Sequence, residues 1–172
     1  MVNKVLKFGY KIFKKWKSKI NRFIIKIKGR YVQKNDIIRD LKNIGIKEGD
    51  IILLHSSLKS VGYVVGGART IINAILEVIG PEGTLVVPTY PIKGTVLEAC
   101  MDKNYVFDYN MSETNLGAIP SDFLKYKNIC RSIHPTHSIS AIGKYAKEIT
   151  EKHHIGKNTY GKNSPWGKII EL

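Results

Sequence analysis

The densest concentration of groups able to do chemistry is the run Arg131-Ser132-Ile133-His134-Pro135-Thr136-His137-Ser138. Two imidazoles within four positions can take a proton from an attacking amine, or hold a hydroxyl by hydrogen bonding. Cys130, His134 and His137 could also be read as metal ligands. Their spacing fits no common zinc pattern and Pro135 restricts the backbone between them, so no metal is assigned. A second polar set, His55-Ser56-Ser57, follows an apolar run, and Gly66-Gly67 precedes an amphipathic stretch. The free N–H groups of a helix start suit an anion, glycines let it approach the backbone, and nearby hydroxyls can donate to it. Taken alone, a paired Gly marks only a tight loop before an ordinary helix. His153-His154, at the end of a polar helical stretch, reads as solvated.

These groups need elements to position them. Asn35 is placed to cap a short helix carrying Ile37, Ile38 and Leu41, with Gly45 beyond its end. Ile51-Ile52-Leu53-Leu54 is a continuous apolar run of the buried-strand type. Ile71, Ile72, Ile75, Leu76 and Ile79 give residues 68–79 a helical period, stopped by Gly80-Pro81-Glu82-Gly83. Thr84-Leu85-Val86-Val87 is the next strand, so a parallel β–α–β unit with a right-handed crossover is expected. Its carboxyl end is where open α/β sheets bind ligands, and His55-Ser56-Ser57 falls there. Residues 91–116 show no clean period. A helix is predicted near Pro120 to Tyr126, a strand over Thr136 to Ile142 and a helix from Tyr145 to Lys152.

Charge divides the chain unevenly. Residues 1–34 hold twelve Lys or Arg and no acid, whereas the remainder carries only about two of the fourteen net positive charges. In residues 4–28, Val5, Leu6, Phe8, Ile12, Phe13, Trp16, Ile20, Phe23, Ile24 and Ile27 recur at helical spacing, with Lys on the opposite face. Such an arm can bury its apolar face in an anionic membrane surface while its Lys side chains meet the headgroups. Packing within the protein or in an oligomer would use the same face. The large apolar residues argue against a purely phosphate-binding, nucleic-acid arm. Residues 30–34 read as a hinge, which divides the chain into an arm and hinge, 1–34, and a domain, 35–172. Two distant cysteines, Cys100 and Cys130, indicate no disulfide framework, and no apolar run approaches membrane-spanning length. The expected location is cytoplasmic, peripheral on the inner membrane face if the arm binds there.

Several of these segments, taken in order, carry a resemblance. The runs His55-Ser56-Ser57-Leu58, Val64-Val65-Gly66-Gly67-Ala68 and Gly80 to Thr89 resemble the opening of the aminoglycoside 3-N-acetyltransferase family. Leu116-Gly117-Ala118-Ile119-Pro120, Arg131 to Ser138 and Asn163-Ser164-Pro165-Trp166-Gly167 are similar to its later landmarks. The resemblance implies an α/β fold, a partly parallel sheet flanked by helices and C-terminally truncated relative to the family, behind the amphipathic arm. It implies acetyl transfer from acetyl-CoA to an amino group of an aminoglycoside or related amino sugar. Ser56, Ser57, Leu58, Val65, Gly66 and Gly67 would then line the CoA site, with Thr136 and Ser138 near the pantetheine or thioester. His137, then His134, would be the catalytic candidates. Family members continue beyond the point where this chain stops, and the resemblance places their principal catalytic His and its carboxylate partner there. The chain is therefore read as the N-terminal portion of the domain. The alternative is a non-catalytic remnant at a membrane surface that at most binds CoA.

Overall fold

The computed structural model describes residues 31–110, 112–156 and 158–172, so the arm predicted over residues 4–28 lies outside the described residues. In chain order the first elements are α1 (Lys34–Asn43), β1 (Ile51–Leu53), α2 (Leu58–Val61), α3 (Ala68–Ile79) and β2 (Thr84–Pro88). They are followed by α4 (Val96–Met101), α5 (Ala118–Phe123), β3 (Cys130–Arg131), β4 (Ile139–Gly143), α6 (Ala146–Thr150) and α7 (Pro165–Glu171).

The β–α–β unit forms as its apolar runs require. β1 and β2 pair in parallel, Ile51 opposite Thr84 and Leu53 opposite Val86, with α3 as the crossover. β4 lies antiparallel on the other side of β2, Pro88 opposite Ile139, and β3 pairs antiparallel with β4. The order β1-β2-β4-β3 makes the sheet only partly parallel. Alternation along β2 feeds two cores. Leu85 and Val87 pack with Ile72, Ile75, Ile79 and Phe123, while Val86 packs with Ile139, Ala141, Ala146 and Ile149. Helices on both faces exclude water from the sheet, as an α/β architecture requires.

Local details depart from expectation for physical reasons. α1 is capped by Gln33, whose N–H donates to the Asp36 carboxylate at 3.0 Å, so Asn35 sits inside the helix. β1 is half-buried and not the buried interior strand its composition indicates, because it is a sheet edge among the described strands. α4 forms inside the segment that shows no period, fixed by a Thr95/Glu98 capping box. α5 begins two residues earlier than predicted, at Ala118. β4 starts only at Ile139, because a turn takes residues 135–137, and the two-residue strand β3 was not anticipated. α6 is shorter than predicted, and α7, with Ser164 as its cap and Pro165 in its first turn, was not singled out. Val32 forms a parallel bridge to Val64, donating to Tyr63 O and accepting from Val65 N at 2.8 and 2.9 Å, so the hinge segment is held against the domain from that residue on.

Candidate active site

Strand register decides which loops meet. Because Pro88 pairs with Ile139, the turn preceding β4 lies at the carboxyl end of β2, beside the loop that leaves β1. His55 to Gly67 and Ser132 to Ser138 therefore share one end of the sheet, with Thr89 and Tyr90 between them.

The first loop is shaped by backbone conformation. Gly66 and Gly67 take φ +81° and +67°, left-handed values that side chains rarely adopt, and the Thr70 hydroxyl closes the loop on Val65 O at 2.7 Å. A Cβ on Gly66 would stand 2.3 Å from Thr70 Oγ1. At Gly67, which caps α3, the corresponding space is open. Ser57 is the N-cap residue of α2, Leu58 is its first residue, and Val65 is exposed. Ser56 Oγ is buried with no hydrogen-bond partner among the described residues. A buried hydroxyl left without a partner costs free energy, so this one is a vacant donor and acceptor at the sheet end.

The second loop is built by side chains. His134 Nδ1 accepts the His137 N–H at 3.1 Å, which closes the turn and requires that nitrogen to be unprotonated. Thr136, 7% exposed, places Oγ1 2.9 Å from His137 Nδ1. Ser138 is fully buried, its hydroxyl donating to Thr89 O at 2.8 Å. The two candidate imidazoles are thus brought together, 5.6 Å between centroids, but they differ in commitment. His134 spends a nitrogen on the turn, whereas His137 rests edge-on against Tyr90 at 4.9 Å and Tyr160 at 5.7 Å. Burial lowers the pKa of both below the usual histidine value, and for His134 the neighbouring His137 adds to this. Neutral imidazole, the form that accepts a proton, is therefore favoured near pH 7.

His153 is not solvated. It is 1% exposed, stacks on His134 at 4.4 Å, and its Nδ1 lies 2.8 Å from Ser132 Oγ. Its other nitrogen faces Thr159 O at 3.3 Å. Burial, together with the neighbouring His134, pushes its pKa down to about 4. Its spacing from Ala146, Ile149 and Thr150 places it on the buried face of α6 extended by one turn, a signal present in the sequence. Tyr90, two residues past the end of β2, carries no distinguishing signal in the sequence. Burial, then the adjacent Tyr160, pushes its phenol up to about 12, so it stays protonated. Trp166 closes the cluster against Tyr160 and His153. Among the described residues no group of three or more His, Cys, Asp or Glu side chains is arranged to hold a metal ion. None of their helices is long and apolar enough to cross a membrane.

A crossover helix that starts at two left-handed glycines, at the same end of a partly parallel sheet as an imidazole-bearing turn, defines an α/β protein whose polar loops gather where such sheets bind ligands. The family model for Aminoglycoside 3-N-acetyltransferase matches residues 53–172, and the chain belongs to that family. It is 34% identical over 151 residues to the SPbeta prophage-derived aminoglycoside N(3')-acetyltransferase-like protein YokD of Bacillus subtilis (strain 168), covering 79% of this chain and 55% of that protein. The solved aminoglycoside acetyltransferase AAC(3)-Xa superposes with a TM-score of 0.78 at 28% identity, over 90% of this chain and 58% of that one. AAC-IIIb, solved as a binary complex with CoASH, gives 0.69 at 25% identity, over 82% and 56%. The chain spans about half the length of the curated relatives it matches.

Proposed function

We propose that this chain serves acetyl-CoA-dependent transfer of an acetyl group to an amine of an aminoglycoside or related amino sugar. The observation that supports the reading is the buried Ser56 Oγ, without a partner among the described residues, in a loop that also carries the left-handed Gly66-Gly67 pair and lies at the same end of the sheet as the His137 turn. An orphaned hydroxyl, an open approach at Gly67 and the N–H groups of the α3 start fit the amide and phosphate groups of CoA. In this assignment Ser56, Ser57, Leu58, Val65, Gly66 and Gly67 hold the coenzyme, and Thr136 with Ser138 shapes the wall near its thioester.

Bound acetyl-CoA supplies an activated acyl carbon. The chain's part is to orient the acceptor and move one proton. As the amine nitrogen bonds to that carbon, its proton passes to His137, the leading base within this half of the site, whose lowered pKa keeps it unprotonated beforehand. The carbon–sulfur bond breaks, and His137 passes that proton to the departing thiolate, which leaves as CoASH. The His and carboxylate that the resemblance places in the C-terminal part would complete the site and raise the rate. His134, committed to the turn, positions His137 and does not itself take the proton.

Calorimetry with CoA and a separate acetyl-transfer assay test the two halves of this reading. We expect CoA binding by the 172-residue chain and a transfer rate that rises when the C-terminal segment of a family member is supplied. Folded protein with no CoA affinity would overturn the assignment. CoA binding with no transfer in either assay would leave the non-catalytic alternative standing.

The arm carries a separate proposal. Its excess of twelve basic residues and its apolar face fit an anionic membrane surface, which would hold the domain peripherally on the inner face of the membrane. The division into residues 1–34 and 35–172 belongs to the same proposal. A peptide of residues 1–30 should turn helical on anionic vesicles, and Phe13→Ser with Trp16→Ser should weaken binding beyond what salt achieves. Equal binding by both peptides, abolished by salt, would reduce the interaction to charge attraction.

A further inference from the structure

Arg131 is 6% exposed and pairs with no carboxylate among the described residues. Its guanidinium lies over the Phe107 ring, 5.2 Å from the centroid, and burial lowers its pKa. All its donors go to neutral acceptors. Nη1 donates to Ser112 O at 2.5 Å and Tyr109 O at 3.5 Å, and Nη2 to Thr89 O at 2.9 Å and Ser138 Oγ at 3.2 Å. Nε donates to the same Ser138 oxygen at 3.3 Å. Burying a cation without an anion is a poor way to stabilise a fold, since a well-packed apolar side chain would do better. What this arrangement supplies is geometry: one rigid fork joins the residue before Tyr90, the end of the His137 turn and the segment around residues 109–112.

That segment is otherwise held by local bonds, such as Ser112 N–H to Asp108 O at 2.9 Å, and by Asn115 Nδ2 donating to Pro91 O at 3.0 Å. The described residues of 102–115 form no strand and no helix, so their backbone groups find partners outside regular structure. Tyr105 OH donates to Pro135 O at 2.5 Å, a second tie to the same turn. Thr114 Oγ1 and Asn115 N both donate to Tyr90 O. The loop with Gly66-Gly67 follows the edge strand β1, whereas the segment held by Arg131 is tied to β3, to Tyr90 and to the turn that carries His137. With CoA on the glycine side, an acceptor amine must reach His137 along the wall that Arg131 holds. That wall borders two cavities, one of about 450 Å³ lined by Arg131, Tyr109 and Glu113, and one of about 750 Å³ lined by Lys93, Glu98 and Tyr105 among others.

We infer that Arg131, seconded by Tyr105, is a positioning residue that sets the acceptor-side wall of the cleft relative to His137. This rests on the acetyl-transfer reading above. The test uses the full 172-residue chain, Arg131→Lys, and Tyr105→Phe as a milder variant that keeps the core intact. Titrations with CoA and with sisomicin, the latter to millimolar concentration, are run beside hydrogen exchange of residues 102–115. The expected result for Arg131→Lys is exchange at least ~10-fold faster and sisomicin affinity at least ~10-fold lower, with CoA affinity within ~2-fold of wild type. Tyr105→Phe should shift the same two readouts by ~2- to 5-fold, and it decides the matter if Arg131→Lys does not fold. Parallel loss of CoA and sisomicin binding would reduce Arg131 to a general structural part and overturn the inference. Faster exchange with unchanged sisomicin affinity would overturn it too, leaving the acetyl-transfer reading intact. A wild-type chain that binds CoA but no sisomicin would sink the acceptor assignment itself and this role with it.

Discussion

The two loops at the sheet end hold their shape by opposite means. Residues 55–67 take form through backbone conformation, with two left-handed glycines, one hydroxyl–carbonyl bond and a buried serine hydroxyl left without a partner. Residues 131–138 are held by side chains, and there Arg131, Ser132, His134 and Ser138 each spend polar groups on neighbours. A loop with unspent donors is prepared for a ligand that brings the missing partners. A loop whose groups are spent is prepared to hold one group still, and here that group is His137.

The comparison breaks most visibly if His137 is not the group being held. His137→Ala should lower acetyl transfer by ~10²–10⁴-fold while leaving CoA affinity unchanged, measured in the chain supplied with a relative's C-terminal segment. The rate should climb with pH through a value below 6.5, because burial lowers the His137 pKa and the neutral form is the base. A pH profile flat across that range, together with an active His137→Ala variant, would transfer the base role elsewhere.

The glycine loop makes the next claim. Gly67→Val forces a β-branched residue to φ +67°, which costs roughly 1–3 kcal/mol, and it fills the open approach. CoA affinity should fall at least ~10-fold with helical circular dichroism unchanged. Loss of helix would show instead that the loop is needed for folding.

His153 tests the spent-donor description through stability. Its pKa is about 4 in the fold and near 6.5 in the unfolded chain, so the unfolded state binds the extra proton between those values. Its contribution is whole above pH 6.5 and is lost as pH falls toward 4, about 3 kcal/mol in all. Urea titrations from pH 7 to pH 4 should show that slope. His153→Leu should remove that part of it and lower stability at pH 7 by about 1–3 kcal/mol, because the buried Ser132 hydroxyl keeps only the Ile139 N–H as a partner. An unchanged slope would mean that the imidazole is not buried in solution.

The smallest effect belongs to Ser56. Ser56→Ala removes a hydroxyl with no protein partner, so the free protein should keep or slightly gain stability while CoA binding weakens by ~2- to 10-fold. Weakened stability with unaltered CoA affinity would show that the hydroxyl already has a partner in solution.

Much of this was legible in the residues themselves. The apolar runs and the helical period of residues 68–79 determined the parallel β–α–β unit, since those patterns bury their faces in few other ways. The glycine pair marked the helix start, and the ordered landmarks carried the family. Tertiary structure decided the rest. β4 runs antiparallel to β2, a pairing between residues about fifty positions apart that no local pattern encodes, and only that register brings the histidine turn to the glycine loop. His153 had a helical signal, but its partner Ser132 lies 21 residues earlier, and burial between them turned a residue that reads as solvated into a neutral strut. Arg131 stood inside a run read for its histidines. Its role came from carbonyls 19 and 42 residues away, because a guanidinium's function is set by what faces its donors and not by its place in the chain.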